Sequence, residues 1–283
     1  GEMPFYQVLK GHTEGVNIAK FSHNGKFVIS GSHDKTIKLW DNSGHLLQTL
    51  IGHKGSIWFG QPDVINFSPD DNWILTSSQD STARLWETKT GKCNIILKHK
   101  KAVNTAIFSP DGTKILTSSS DKTAKLWDLA GNELKFFLHN KGLSSARFSA
   151  DGKKIFTASG DSTAKIWSID GRLIQILNHP VSVRKLVVSK NDSLIITGAS
   201  DMKFRLWKNT SSGKWTLFKT IVYTKGQDRS ISFSNDNLYF ITSSDDNETR
   251  VWDFNGNEKL IIRGHSSGVW CTSFSHDSKQ ILT

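Results

Sequence analysis

Ten residues, SSSDKTAKLW, end at Trp127, and near-copies of them end at Trp40, Trp86, Trp167, Trp207 and Trp252. Successive tryptophans stand 46, 41, 40, 40 and 45 residues apart. A second landmark, an apolar residue followed by Ser, falls nineteen residues before each of them, at Phe21, Phe67, Phe108, Phe148, Val188 and Phe233. Phe274 opens a seventh unit. A fixed period of this length means one supersecondary unit written repeatedly, each copy burying its apolar face against the next. Length varies outside the nineteen-residue stretch, through FGQPD after Trp58 and around NTSSGKWTLFK.

One unit reads as four short strands. VNTAIFS is short and apolar, and PDGT supplies turn chemistry. KILTSS is a second strand, and SDK a tight turn in which Asp121 can accept from nearby backbone. TAKLWD alternates with the period of two expected of a strand, and LKFFL follows a further turn at LAGNE. Helical spacing is sustained nowhere. Four antiparallel strands every forty-odd residues predict an all-β chain: a seven-bladed β-propeller of four-stranded antiparallel blades.

The units resemble WD repeats. The resemblance rests on the Gly-His pair, the turn Asp and the Trp-Asp of LWDN, LWDL and VWDF, recurring at fixed spacing over nearly the whole chain. It implies a buried hydrogen-bonded tetrad in each blade. Its histidines are His12, His53, His99, His139, His179 and His265, and its turn aspartates Asp34, Asp80, Asp121, Asp161, Asp201 and Asp246. The hydroxyl member is expected two residues before the Asp, at Ser32, Ser78, Ser119, Ser159 and Ser244, with Ala199 breaking the pattern. Trp40, Trp86, Trp127, Trp167, Trp207 and Trp252 close the sets, and Thr224 falls where the sixth His would stand. Buried imidazole and carboxylate groups need partners, so a network linking strands accounts for their repetition.

The formal net charge is +10, which raises nucleic-acid binding. Yet a cation stands two residues before each repeated Trp: Lys38, Arg84, Lys125, Lys165, Arg205 and Arg250. These are expected on a solvated strand face, spreading charge around the body. Two cysteines, Cys93 and Cys271, are too few for a disulfide framework and read as free thiols of a reducing, cytoplasmic compartment. No run of about 18 apolar residues is present, so no membrane span is expected.

QVLKGH near the start matches QTLIGH at Gln48–His53, the outer strand of a finished blade. By the closure the family uses, Phe5–Leu9 is expected to complete the blade begun at the C-terminal end. That blade would lack its third strand, because Thr283 occupies the place of Thr117. The expectation is a single propeller domain over residues 1–283, cut from a longer polypeptide, with a partner or a swapped copy filling the gap as the alternative.

Chemistry is not expected. A catalytic triad needs one nucleophile made unlike its neighbours, and six equivalent His, Ser and Asp sets read as structure. SSDDNET lacks the ligand alternation of a calcium loop, and the histidines lack zinc spacing, so neither metal nor cofactor is called for. Recognition then falls where repeats differ. In the implied propeller the His loops and Asp turns open on one face. There the first strands place Asn17, Trp58, Asn104, Ser144, Arg184, Arg229 and Trp270, and the turns place His33, Gln79, Ser120, Gly160, Ser200 and Asp245. Trp and Arg are hot-spot types, although Trp58 could instead pack under its insertion and Trp270 within its own blade. The leading reading is a non-catalytic module binding a protein or short peptide on this channel-mouth face. Two alternatives stand beside it: a nucleic-acid-associated propeller, and the sensor domain of a signalling ATPase of the apoptosome-like kind.

Overall fold

The computed structural model describes residues 8–57, 63–222, 228–269, 272–275 and 278–283, with only the backbone at 228–229. Every regular element in them is a strand. Repeat three shows the pattern: β9 (Val103–Phe108), β10 (Lys114–Ser119), β11 (Thr123–Asp128) and β12 (Glu133–Leu138). The same succession gives β1 (Val16–Phe21) to β4 (Leu46–Leu50) and β5 (Ile65–Phe67) to β8 (Cys93–Lys98). It continues with β13 (Leu143–Phe148) to β16 (Leu173–Asn178), β17 (Val183–Val188) to β20 (Trp215–Val222) and β21 (Asp228–Phe233) to β24 (Glu258–Ile262). Each set forms a four-stranded sheet in chain order; β25 (Ser273–Phe274) and β26 (Ile281–Leu282) form a two-stranded one. The pairings are antiparallel. This is the blade succession of a β-propeller, with two strands of the last blade among the described residues. The strand expected over Phe5–Leu9 lies largely outside the described residues.

The chain divides into two compact units, Gly1–Asp121 with Lys125–Phe136, and Lys122–Ala124 with Phe137–Thr283. In each, the core lies between consecutive sheets. In the first unit Ile29, Ile37 and Leu39 meet Ile57, Ile65, Ile74 and Trp86; Leu75, Leu85 and Leu97 meet Val103, Ile115 and Trp127. In the second, Phe156, Ile166 and Leu177 meet Val183, Leu186 and Trp207, while Leu194, Ile196 and Phe204 meet Ile231, Phe240 and Trp252. A sheet cannot bury its faces alone, so a repeat is stable only through its neighbours.

The cations before each Trp are not on a solvated face. Lys38 and Arg205 are 8% and 7% exposed. Lys125 Nζ lies 5.1 Å from the Trp127 ring centre and Lys165 Nζ 5.5 Å from that of Trp167. Residues i and i+2 of a strand share a face. The aliphatic stem covers the indole and the charge finds a partner at its tip: Lys125 with Glu133 at 2.8 Å, Lys165 with the Leu138 carbonyl at 3.0 Å.

Candidate functional site

Repeat four builds its polar centre from four directions. Ile155 pairs with Trp167 and Thr157 with Lys165 across β14 (Lys154–Ser159) and β15 (Thr163–Ser168), so the indole stands one diagonal step from Thr157. Trp167 Nε1 donates to Thr157 Oγ1 at 2.9 Å, and the hydroxyl meets His139 Nε2 at 2.8 Å. His139 Nδ1 meets Asp161 Oδ2 at 2.9 Å. A carboxylate only accepts, so the proton sits on Nδ1 and Nε2 accepts from the threonine. Asp161 also accepts from the Asn140 N–H, the Thr163 N–H and the Thr163 hydroxyl. The same chain joins His12, Ser30, Asp34 and Trp40; His53, Thr76, Asp80 and Trp86; and His99, Thr117, Asp121 and Trp127, with His–Asp distances of 2.8, 2.8 and 2.9 Å.

The hydroxyl is therefore four residues before the Asp, not two. Ser32, Ser78, Ser119 and Ser159 stand elsewhere. Ser159 Oγ donates to the Lys141 and Gly142 carbonyls and accepts from the Asp161 N–H, and Ser32, Ser78 and Ser119 brace their loops in the same way. The reason is distance along the strand. Ser159 is four residues from Ile155, the residue facing Trp167, or about 13 Å at strand rise, beyond the reach of an indole. Gly11 belongs to the same construction: a Cβ there would lie 3.2 Å from Trp40 Cη2.

Repeats five and six depart from this plan. His179 Nε2 meets Thr197 Oγ1 at 2.8 Å, and Trp207 donates to the same oxygen. His179 Nδ1, however, donates to the Leu177 carbonyl at 3.0 Å, and Asp201 is held by both terminal nitrogens of Arg205. The expected His179–Asp201 link is thus absent, because Ala199 and Lys203 replace the Ser and Thr that hold the Asp in repeats one to four. In repeat six Trp252 donates to Thr242, while Asp246 accepts from Ser244 and pairs with Arg250 at 2.8 Å. Ser244 thus bonds the turn Asp and is not the hydroxyl that meets the Trp. Thr224 lies outside the described residues. His265 Nε2 meets Thr283 Oγ1 at 2.7 Å in the last repeat.

Burial and bonding set the ionisation of these groups. Burial acts to raise Asp161, but the Thr163 hydroxyl, the Asn140 N–H and His139 outweigh it and bring the carboxyl to about 2. Asp34 and Asp80 are likewise held below the usual carboxylate range against burial. Burial depresses the imidazoles, to about 4 at both His139 and His179, and also downward at His53 and His99. Thr76, Thr117, Thr157 and Thr197 have no solvent exposure. A hydroxyl sealed this way meets no substrate; the network braces strands.

Variation begins at the mouth of the first strands of repeats one and three to six, where the register carries a β-bulge. Asn17, Asn104, Ser144, Arg184 and Arg229 are the residues that the register skips. The bulge, which sequence periodicity did not reveal, turns one side chain out of the ladder at Asn17, Asn104, Ser144 and Arg184. Asn17 donates to the Ile57 carbonyl at 3.3 Å and Ser144 to the Val183 carbonyl at 2.9 Å, so both tie one repeat to the next. Asn104 donates to Ser120 Oγ at 3.1 Å. Arg184 is exposed and donates to Ser200 Oγ at 2.7 Å. His33 is half-buried beside Gly15, to whose carbonyl its own N–H donates. Trp58, Trp270 and the Arg229 side chain lie outside the described residues, as does Cys271; Cys93 is a free, partly buried thiol.

A brace common to repeats one to four, with bulge residues that differ from repeat to repeat, is the pattern of a repeat-built propeller. The family model for the WD domain, G-beta repeat, matches residues 3–41, 44–87, 91–128, 131–168, 171–208, 222–253 and 256–283. The chain belongs to the WD-repeat family. It is similar to nuclear distribution protein PAC1 of Candida albicans, 50% identical over 56 residues, 17% of this chain and 12% of that protein. F-box/WD repeat-containing protein 7 of Drosophila melanogaster is 43% identical over 56 residues, 19% of this chain and 4% of that protein. Probable E3 ubiquitin ligase complex SCF subunit sconB of Arthroderma otae is 38% identical over 52 residues, 18% and 8%. The matches thus span at most about an eighth of these relatives. Proteins of this family act as protein-interaction scaffolds.

Proposed function

We propose that this chain is a non-catalytic module that holds an acidic protein segment or short peptide against the face where its His loops and Asp turns open. One observation carries the reading. The braces of repeats one to four are alike, whereas the bulge residues above run Asn17, Asn104, Ser144, Arg184 and Arg229 and the residues before the turn Asp run His33, Gln79, Ser120, Gly160, Ser200 and Asp245. Shared residues make the fold, and variable exposed ones make the choice of partner. The loops and turns of repeats two to five carry Lys54, Lys100, Lys101, Lys122, Lys141, Arg184 and Lys203. Against these seven cations stand four turn carboxylates, Asp80, Asp121, Asp161 and Asp201, the last of them paired with Arg205. The field at these loops is therefore positive and favours an acidic ligand.

Arg184 suits a carboxylate, which a guanidinium can hold bidentately. Selection of short peptides from a random display library against the wild type should enrich Asp and Glu. Arg184→Ala should weaken the selected peptides by about tenfold or more, as removal of a hot spot does, while Lys165→Ala, far down its blade, should not. Peptides that bind the Arg184→Ala protein equally well would move recognition to another surface. The net charge of +10 also supports a nucleic-acid partner. Steep loss of DNA or RNA binding with added salt is the mark of that reading.

A further inference from the structure

At the opposite end of each blade from the His loops, the first and second strands are joined by a turn: Ser-His-Asn-Gly from Ser22, Ser-Pro-Asp-Asp from Ser68, Ser-Pro-Asp-Gly from Ser109 and Ser-Ala-Asp-Gly from Ser149. Ser-Lys-Asn-Asp from Ser189, Ser-Asn-Asp-Asn from Ser234 and Ser-His-Asp-Ser from Ser275 complete the set. The fourth residue is left-handed in every repeat, with φ between 52° at Asp192 and 71° at Gly112. Glycine is the natural occupant of that conformation. Gly25, Gly112 and Gly152 are such glycines, whereas Asp71, Asp192, Asn237 and Ser278 accept the strain of a side chain.

Those four side chains reach back to the turn of the preceding repeat. Asp71 accepts from the His23 and Asn24 N–H groups at 2.9 Å each, and from the His23 ring. Asp192 accepts from the Ala150 N–H with both oxygens, at 3.0 and 2.9 Å. Asn237 Oδ1 accepts from the Asn191 N–H at 3.3 Å, and Ser278 Oγ from the Asn235 N–H at 2.8 Å and the Asp236 N–H at 3.3 Å. Each of these turns thus offers one or two N–H groups to the next repeat.

The glycines follow the complementary pattern. Gly112 follows a turn whose second residue is Pro69, and Gly152 follows one whose second residue is Pro110. Proline has no N–H to offer. A Cβ at Gly112 would stand 3.3 Å from Pro69 Cδ, so a side chain there would press on the ring and lose the second-residue donor. Where the second turn residue is His23, Ala150, Lys190 or Asn235, the following repeat supplies Asp71, Asp192, Asn237 or Ser278. In the sequence all six consecutive pairs of turns follow this pattern, the bond to Asn237 coming from the third turn residue, Asn191.

We infer that this pair of positions is a recognition latch between consecutive repeats: an N–H-bearing turn is matched by Asp, Asn or Ser at the left-handed position of the next repeat, and a prolyl turn by Gly. The partner each blade edge fits is thereby specified. A repeat ending its left-handed turn in Asp fits behind an open turn, and one with Gly fits behind a prolyl turn.

A double-mutant cycle in urea unfolding tests the latch. Asp192→Gly should raise the unfolding equilibrium constant by about tenfold, the scale of a charge-assisted hydrogen bond. Ala150→Pro, which copies the backbone of Pro69 and Pro110, should act similarly by removing the donor. The double substitution should cost little more than either alone. Relief of left-handed strain by itself predicts the reverse sign, so an Asp192→Gly protein as stable as wild type or more stable overturns the inference, as does strict additivity. The reciprocal swap guards against a variant that fails to fold. Gly112→Asp alone should destabilise, and Pro69→Ala/Gly112→Asp should recover most of that loss; no recovery overturns the rule.

Discussion

Repeats four and five carry the same His, Thr, Asp and Trp at the same spacing, yet their aspartates hold different partners. In repeat four Ser159 accepts from the Asp161 N–H and Thr163 donates to its carboxylate, which fixes the carboxylate toward His139. In repeat five Ala199 and Lys203 occupy those places, and Asp201 turns to Arg205. His179 then completes its bonding with a backbone carbonyl. The four tetrad residues are therefore insufficient to make a tetrad. The two side chains flanking the Asp decide whether it reaches the histidine, by taking up its remaining bonding capacity on the near side.

The contrast can be broken or sharpened experimentally, beginning with acid. His139 and His179 both sit at about 4 against an ordinary 6.5, with burial as the leading cause in each. The unfolded chain thus binds more protons between those values. The stability contributed by the neutral buried rings is full above about pH 6.5 and is lost as pH falls toward about 4. Asp161, at about 2, adds a further loss below the ordinary carboxylate value of 3.8. The histidine loss is on the order of 3 kcal/mol at most for each of the two rings, so their sum exceeds any single substitution below. Unfolding midpoints measured between pH 7 and pH 4 should fall steadily, and a flat profile would break the account of both repeats.

The next effect separates the repeats directly. Asp161→Ala strips acceptors from His139, Asn140 and Thr163 and should cost about 3 kcal/mol. The double Asp201→Ala/Arg205→Leu removes both members of a nearly buried ion pair and should cost about 1 kcal/mol or less, because no charge is left alone. Equal losses in denaturant unfolding would mean that the two aspartates do the same work. Smallest is the comparison within repeat four. Thr157→Val leaves the Trp167 N–H and His139 Nε2 without their shared partner and should cost about 2 kcal/mol; Ser159→Ala should cost about 1 kcal/mol. Reversal of that order would restore Ser159 as the tetrad hydroxyl.

The sequence by itself determined the repeat, the strand order and the blade count, because the period of Trp, Phe-Ser and turn Asp is covalent information that any fold must honour. TAKLWD alternates on paper, and in β11 Ala124 and Leu126 are buried between half-buried Thr123 and Lys125. What only the tertiary structure decided concerns reach. Thr117 and Ser119 share one face of β10, and strand periodicity cannot choose between them; the depth at which the His99 ring and Trp127 indole meet the strand does. Lys125 shares the face of Trp127, and only its packing over the ring shows that the face is not open to water. The bulges at Asn17, Asn104, Ser144 and Arg184 leave no mark in hydrophobic period, since the skipped residue is polar in every case. Local sequence sets which elements form, whereas partner choice among several hydroxyls, cations and carboxylates within a few ångströms depends on where neighbouring strands and repeats place them.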